Sequence, residues 1–578
     1  MISATGRPQE DLPGGFTSRV RRSAEIRLWN ASGKRLRELA WPRLSPASRS
    51  AIWLSQTAPE QEAWLARLPL PDQERLWSEL DDELQSELVW PVGAPREAWH
   101  SFDRHPWQHP WVTAGNLRSF RAFSDGWIDA LVQRVERSLD RPGRRYAFVC
   151  NLANNLYSRA RAMAARPVHI DVFPHPHDRY IMSHPEWEEY EGEAIDGIED
   201  LDAARAAGML LPDVPRVRHV DPLPAAPSRD SLPAWVRLLD HERWQAWFTY
   251  LPMLEALQAY DALLSMQAPY LAYLSGRPYV ATQMGGEIWY ECSRDDAYGR
   301  LQRQAFRCAG AFLVSNPWSL AFARRYGLTN LVYLPYQLDD QRYSPGPGSV
   351  RSAWQAATGG DFFVLMTSRQ DYRFKGSDAA IRGFARFAAS APGARLVVTA
   401  WGADRDKAMK LFASLGIADR VHLVPIVGKK RLVDYLRSAD CTIDQLTLGY
   451  FGASALETFA CGRPVVMNLN RTQYDALIPE GSAPVCQAAS EEDVSRELLR
   501  LYSDRAAAAA AGDALRQWFL LTHGNRRWAR VYDAILAGTA AGRLPGFDGS
   551  PLHAGWDNAE VAYHSAELAA APVFPNYF

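Results

Sequence analysis

The chain has 578 residues, 47% of them hydrophobic and 22% charged, with a formal net charge of −2. That length exceeds a single hydrophobic core and calls for about three domains. The near-neutral balance leaves no electrostatic footprint for nucleic acid or an anionic membrane. The six cysteines form no CxxC pair, and five sit in apolar context, as reduced core thiols do. No run reaches the ~18 apolar residues of a membrane span, and residues 1–30 lack a signal-peptide core. The expectation is a soluble, cytoplasmic protein.

In chain order, "EIRLWNASGKRLREL" (25–39) alternates apolar and polar residues around Ser32-Gly33, which predicts a hairpin. "SPASRSAIWLSQT", "APEQEAWLARL" and "LPDQERLWSEL" each place a proline near a helix start and then an apolar pair. They predict a stack of short helices over 44–90. "HPWQHPW" (105–111) and a helix near 117–139 close this segment. From Tyr146 strands and helices alternate: "YAFVC", "NNLYSRARAMAA" and "VHIDVF", then "YDALLSM", "PYVATQ", "AFLVS" and "LVYLP". The intervening "EWEEYEGE" reads as a solvated acidic segment.

Residues 335–360, rich in Pro, Gly and Ser, read as an interdomain linker. A second alternating run follows, with strands "FFVLMTS", "RLVVTAWG", "RVHLVPI", "CTID" and "PVVMN". Continuous apolar strands between amphipathic helices, such as the one carrying Ile381, Phe384, Phe387 and Ala388, mean parallel sheets covered on both faces. The fold class is α/β, with two Rossmann-like doubly wound domains facing a cleft and ligand sites at the carboxyl ends of the strands. The predicted divisions are an N-terminal module (1–142), a first Rossmann-like domain (143–345), a second (346–540) and a tail (541–578).

Three pieces of the second half point to one chemistry. Strand "FFVLMTS" runs into "RQDYRFKGSD", putting Arg369 and Lys375 in a loop before a helix. Two cations beside a helix amino terminus suit a diphosphate, although a pair of solvated surface charges fits the same residues. "GYFGASALE" opens a helix on a Gly-rich turn whose backbone N–H groups at Gly452, Ala453 and Ser454 can face phosphate oxygens. Glu457 lies one turn inside that helix, among apolar neighbours, where a carboxylate can accept from a diol.

Together "SRQDYRFKGSDAAIRGF", "WGADRDKAMKLFASLGIADRVHLVPIVGKKRLVDYLRSADCTID" and "GYFGASALETFACGRPVV" resemble the C-terminal domain of GT-B glycosyltransferases, specifically the retaining family 4 group (glycosyl transferases group 1). The likeness extends over roughly residues 145–535 and leaves the first 140 unaddressed. It implies a metal-independent transfer of a sugar from a nucleotide donor, UDP- or GDP-linked, to an unknown acceptor hydroxyl, with no resident cofactor. Arg369 and Lys375 then bind the departing diphosphate, Glu457 the ribose, and the backbone at Ile426 and Val427 the base.

Two positions depart from the family's pattern. A glutamate usual eight residues before the ribose glutamate is Gly449 here, beside Tyr450, and a usual histidine is Met284, before Gly285-Gly286-Glu287. Glu287 is expected to serve the sugar instead, with Asp444 and Gln445 near it. Asn154, Asn155, His175 and Asp178 are assigned to the acceptor. "HPHD" (175–178) with His184 has no surrounding ligand set in the sequence, so no metal site is expected. The N-terminal module is assigned to acceptor or partner binding. A sugar-nucleotide epimerase and a non-catalytic binding protein are the alternatives.

Overall fold

In the computed structural model the apolar runs become the strands of two six-stranded parallel sheets. The structure describes residues 111–176, 183–193, 201–209, 216–223, 246, 248–292, 294 and 297–553. The expected hairpin at 25–39, the short-helix stack at 44–90 and Asp178 lie outside them. The chain divides into two units at His105/Pro106, and all described residues belong to the second.

The first lobe opens with helix α1 (Ala114–Leu139), capped by Thr113, whose side chain accepts from Asn116 N. Leu117, Phe120, Trp127, Leu131, Val135 and Leu139 form its buried stripe. Then come β1 (Arg144–Val149), α2 (Asn155–Ala162), β2 (Val168–Phe173), the short α3 (Glu186–Glu189), β3 (Ala262–Ser265), β4 (Tyr279–Thr282), β5 (Phe312–Val314) and β6 (Leu331–Tyr333). The spatial order is β2-β1-β3-β4-β5-β6, all parallel. Alternate residues of β1 feed different cores, because successive side chains leave opposite faces. Ala147 and Val149 join one cluster, Tyr146 and Phe148 the other.

The second lobe begins with α4 (Arg351–Thr358) and β7 (Phe362–Met366), then α5 (Ser377–Ala388), β8 (Ala394–Thr399), β9 (Val421–Val424), α6 (Lys429–Ser438) and β10 (Cys441–Ile443). It continues with α7 (Ala453–Ala460), β11 (Val465–Met467), β12 (Cys486–Gln487), α8 (Arg505–His523) and α9 (Asn525–Ala540). Its order, β12-β11-β10-β7-β8-β9, reverses direction between β10 and β7. Two doubly wound sheets with strand ends facing one cleft make this a GT-B fold. All six cysteines are free, five of them buried. No helix among the described residues is long and apolar enough to cross a membrane.

Three expectations are corrected. The 335–360 segment is no open linker: Tyr336, Gln337, Leu338 and Tyr343 are buried, and α4 lies inside it. Its aromatic residues enter a core that runs without a break from β1 to β7. Helix α1 belongs to the first lobe rather than to a separate module, because its stripe packs on α9 and β6. The second domain also does not hold its chain to residue 540. At Gly524, where an added Cβ would lie 2.4 Å from Leu520 O, the chain turns. Helix α9 then returns to the first lobe, packing Trp528, Tyr532, Ile535 and Leu536 against the side chains of Tyr146, Phe148 and Leu264. Its buried Asp533 pairs with Arg144 (2.5 Å) and Arg166 (2.9 Å).

Candidate functional site

Where strand order reverses, adjacent loops diverge and leave a crevice at the carboxyl ends. In the second lobe that crevice lies between β7 and β10, and a cavity of about 170 Å³ occupies it. Thr367, Ser368, Arg369, Lys375, Ser454 and Glu457 line it from this lobe, and Ala153, Asn154 and Trp187 from the other. Asn154 has left-handed backbone (φ 54°), which turns the chain sharply after β1.

The two cations are held by carboxylates. Lys375 Nζ lies 3.3 Å from Asp444 Oδ1, which also accepts from Ser368 Oγ at 2.6 Å. Asp444 is therefore a buried positioning group behind Lys375 rather than a lining residue. Arg369 Nε donates to Asp371 Oδ2 at 2.9 Å, while Asp371 Oδ1 accepts from Phe374 N and so shapes the loop. Gly376, with φ 64° and Thr447 Oγ1 2.8 Å from any added Cβ, lets that loop enter α5. Helix α7 starts at Gly452 without a side-chain cap, leaving its first backbone N–H groups toward the cavity wall formed by Ala453 and Ser454.

Glu457 is buried and its Oε1 pairs with Lys429 Nζ at the start of α6. Burial pulls the Lys429 ammonium down, but Glu457 and Glu188 outweigh it and hold the group above its ordinary value. Burial pushes Glu188 up to about 7, against the pull of Lys429 and Arg342. Glu188 and Glu189 come from the first lobe, so this charge cluster bridges the cleft. The expectation of a solvated "EWEEYEGE" is thus overturned for its first half, where Glu186, Trp187 and Glu188 are buried, while Glu191 and Glu193 are exposed as expected. Glu188 and Glu189 pair with Arg342, and Glu191 with Lys430. Arg342 on one lobe and Lys429 on the other compensate the burial of Glu188. The strap continues as Gly428 N donating to Gly192 O at 2.9 Å, and Gly428 sits so close to Tyr190 O that an added Cβ would be 2.0 Å away. Ile426 and Val427 line the cavity just before it.

Other expected residues stand apart from the cavity. Glu287 is 2% exposed and folds back on its own loop, accepting from Met284 N (2.5 Å) and Gly285 N (3.0 Å). Burial raises it to about 7. It caps its turn and does not line the cavity, contrary to expectation. Gly285 is buried under Trp318 and Gly286 is exposed. Tyr450 lies against Trp318 of the first lobe, ring centroids 5.5 Å apart. Asn155 Nδ2 donates to Met284 Sδ, so the residue in place of the usual histidine holds the start of α2. His175 packs on Tyr250 at 5.3 Å. Gly449 is left-handed (φ 71°), a backbone that disfavours the glutamate usual in the resemblance. Sequence reasoning missed Lys429, Trp187 and Glu188. The "GKKRL" start of α6 offered a cation signal, but its partner is remote in sequence.

Residues 352–518 match the family model of glycosyl transferases group 1. The second lobe is therefore a glycosyl transferases group 1 domain. Among curated relatives, a D-inositol 3-phosphate glycosyltransferase of Acidothermus cellulolyticus is 31% identical over 167 residues, 27% of this chain and 37% of its own. A counterpart from Nocardiopsis dassonvillei is 28% identical over 221 residues, 37% of this chain and 51% of its own. A GDP-mannose-dependent alpha-(1-6)-phosphatidylinositol monomannoside mannosyltransferase of Mycolicibacterium smegmatis is 24% identical over 49% of this chain and 75% of its own. The chain spans about half the length of the first of the D-inositol 3-phosphate enzymes it matches. Among solved structures, Anabaena HepE with UDP and glucose aligns over 68% of this chain and 100% of its own, at 13% identity and a TM-score of 0.48.

Proposed function

We propose that the protein is a glycosyltransferase that moves a sugar from a nucleotide-sugar donor to an acceptor hydroxyl with retention of anomeric configuration. The observation that carries this reading is the convergence, at one strand-order reversal, of Arg369, Lys375, the uncapped start of α7 and buried Glu457. Arg369, Lys375 and the α7 N–H groups receive the donor diphosphate, and their charge takes the place of a divalent cation there. Glu457 accepts from the ribose, and the backbone at Ile426 and Val427 meets the base. The acceptor oxygen attacks the anomeric carbon on the face from which the diphosphate departs. The anomeric C–O bond breaks, and the acceptor proton passes to the departing phosphate oxygen. The chain's part is positioning and charge stabilisation, so this path needs no carboxylate nucleophile at position 449. Retention and metal independence rest on the family likeness.

The test is incubation with a panel of UDP- and GDP-sugars, with and without candidate acceptors. Acceptor-dependent release of nucleoside diphosphate is the expected result. Isomerised donor alone identifies an epimerase, and the absence of both with intact nucleotide binding identifies a binding protein.

A further inference from the structure

Beside the cleft strap lies a second cluster that the transfer chemistry does not use. His184 and Glu186 are 0% and 3% exposed, and His219 approaches them from a separate segment. One ligand atom from each lies within 4.8 Å of the others. Glu186 Oε1 touches His219 Nε2, and the two imidazoles stack at 5.6 Å and 19°. The second carboxylate oxygen, Glu186 Oε2, is buried and has no hydrogen-bond partner. A buried carboxylate oxygen left unsatisfied is costly, and a cation is one of the few things that satisfies it.

The three ligands stand on anchored backbone. Ser183 O accepts from Asn151 Nδ2 at 2.8 Å, tying His184 to the loop after β1. Trp187 N donates to His184 O at 3.0 Å, fixing the step from His184 into α3. Arg216 and Arg218 bond to Val172 of β2 (2.6 and 2.8 Å), which holds the His219 segment along the sheet edge. His219 is the solvent side of the cluster, its side chain 26% exposed, and so provides an entry path.

We propose that His184, Glu186 and His219 bind one zinc ion. Two imidazoles and one carboxylate suit a borderline divalent metal, with water in the fourth tetrahedral position. Calcium and magnesium, which want oxygen ligands, fit poorly. None of the three ligands lines the cavity that holds Arg369 and Lys375, so the metal acts on the fold there rather than on the donor. It clamps the segment that carries Trp187 and Glu188 into the cleft onto the edge strand β2, away from the diphosphate cations.

The test is calorimetric titration of chelator-stripped full-length protein with zinc chloride, followed by metal analysis after dialysis. One zinc per chain is expected, with a cobalt-substituted sample showing the absorption of a tetrahedral site. His184→Ala and His219→Ala should each weaken binding by more than the ~10–100-fold that an outer-shell change costs. His422→Ala, on the opposite lobe, should leave it unchanged. Failure of the wild-type chain to take up zinc overturns the site without reference to any variant, as does unchanged affinity in both His184→Ala and His219→Ala. Nucleotide-sugar turnover is not the readout, so the result stands apart from the proposed activity.

Discussion

Arg369 and Lys375 reach the cavity because Asp371 and Asp444 hold them there. Each cation is aimed before a ligand arrives, which is where electrostatic catalysis gains most. Arg369→Ala and Lys375→Ala are each expected to lower turnover by ~10²–10³-fold, the usual cost of one preorganised donor. Steady-state kinetics on folded variants checks this, and wild-type rates in both would remove the phosphate assignment. The proposed ribose contact would place Glu457 away from the breaking bond, and so make it similar in ground and transition states. Glu457→Gln should raise donor KM by ~10–100-fold, the worth of a hydrogen bond to a charged group, with kcat nearly kept. It should also lower thermal stability, because Lys429 then loses a counter-charge in a buried site. An unchanged KM would make Glu457 a structural partner of Lys429 and nothing more. These cations and the glycine turn were legible in the sequence because strand, loop and helix are contiguous. The Glu188–Lys429–Glu457 cluster was not, since it joins lobes, and a run of glutamates read alone has no sign of the arginines that bury it.

At the scale of elements, every strand of the two sheets but β12 was legible from its apolar run, and β12, two residues long (Cys486–Gln487), is too short to carry a pattern. The turn between α8 and α9 was not, because periodicity continues through it and only the packing around Gly524 shows the break. His523 sits at that turn, buried among Phe451, Trp518 and Phe519. Burial pulls its imidazole down from 6.5 to about 3. The unfolded chain therefore binds the extra proton across that interval, so the residue's contribution is complete above pH ~6.5 and is lost as pH falls toward 3. Chemical denaturation at stepped pH should show wild type losing up to ~1.4 kcal/mol per pH unit more than His523→Phe within this window. Parallel curves for the two proteins would show that the ring titrates normally.

The molecule as a whole cannot be divided at the boundaries that composition suggests. Deleting residues 1–140 removes α1 and strips Leu117, Phe120, Trp127 and Leu131 from the first lobe, so that variant is expected to aggregate or melt far below wild type. Deleting residues 1–105 keeps α1, and calorimetry should find nucleotide affinity within about twofold of the full chain, a factor worth ~0.4 kcal/mol. Loss of nucleotide binding in the folded shorter deletion would assign the leading segment to the donor site. The sequence hid this division because α1 is amphipathic on its own and its partner, α9, is written at the far end of the second lobe.

Helix α9 has a further consequence, for the order in which the chain is made. The ribosome delivers β6 well before the helix that covers Tyr146, Phe148 and Leu264. About 190 residues separate Tyr333 from Asn525, which at ~5–20 residues per second is a delay of roughly 10–40 s. Through that interval α1 and α2 cover that face of the first sheet only in part, and the ground left for α9 stands open on the nascent chain, a surface for chaperones to hold until translation supplies its cover.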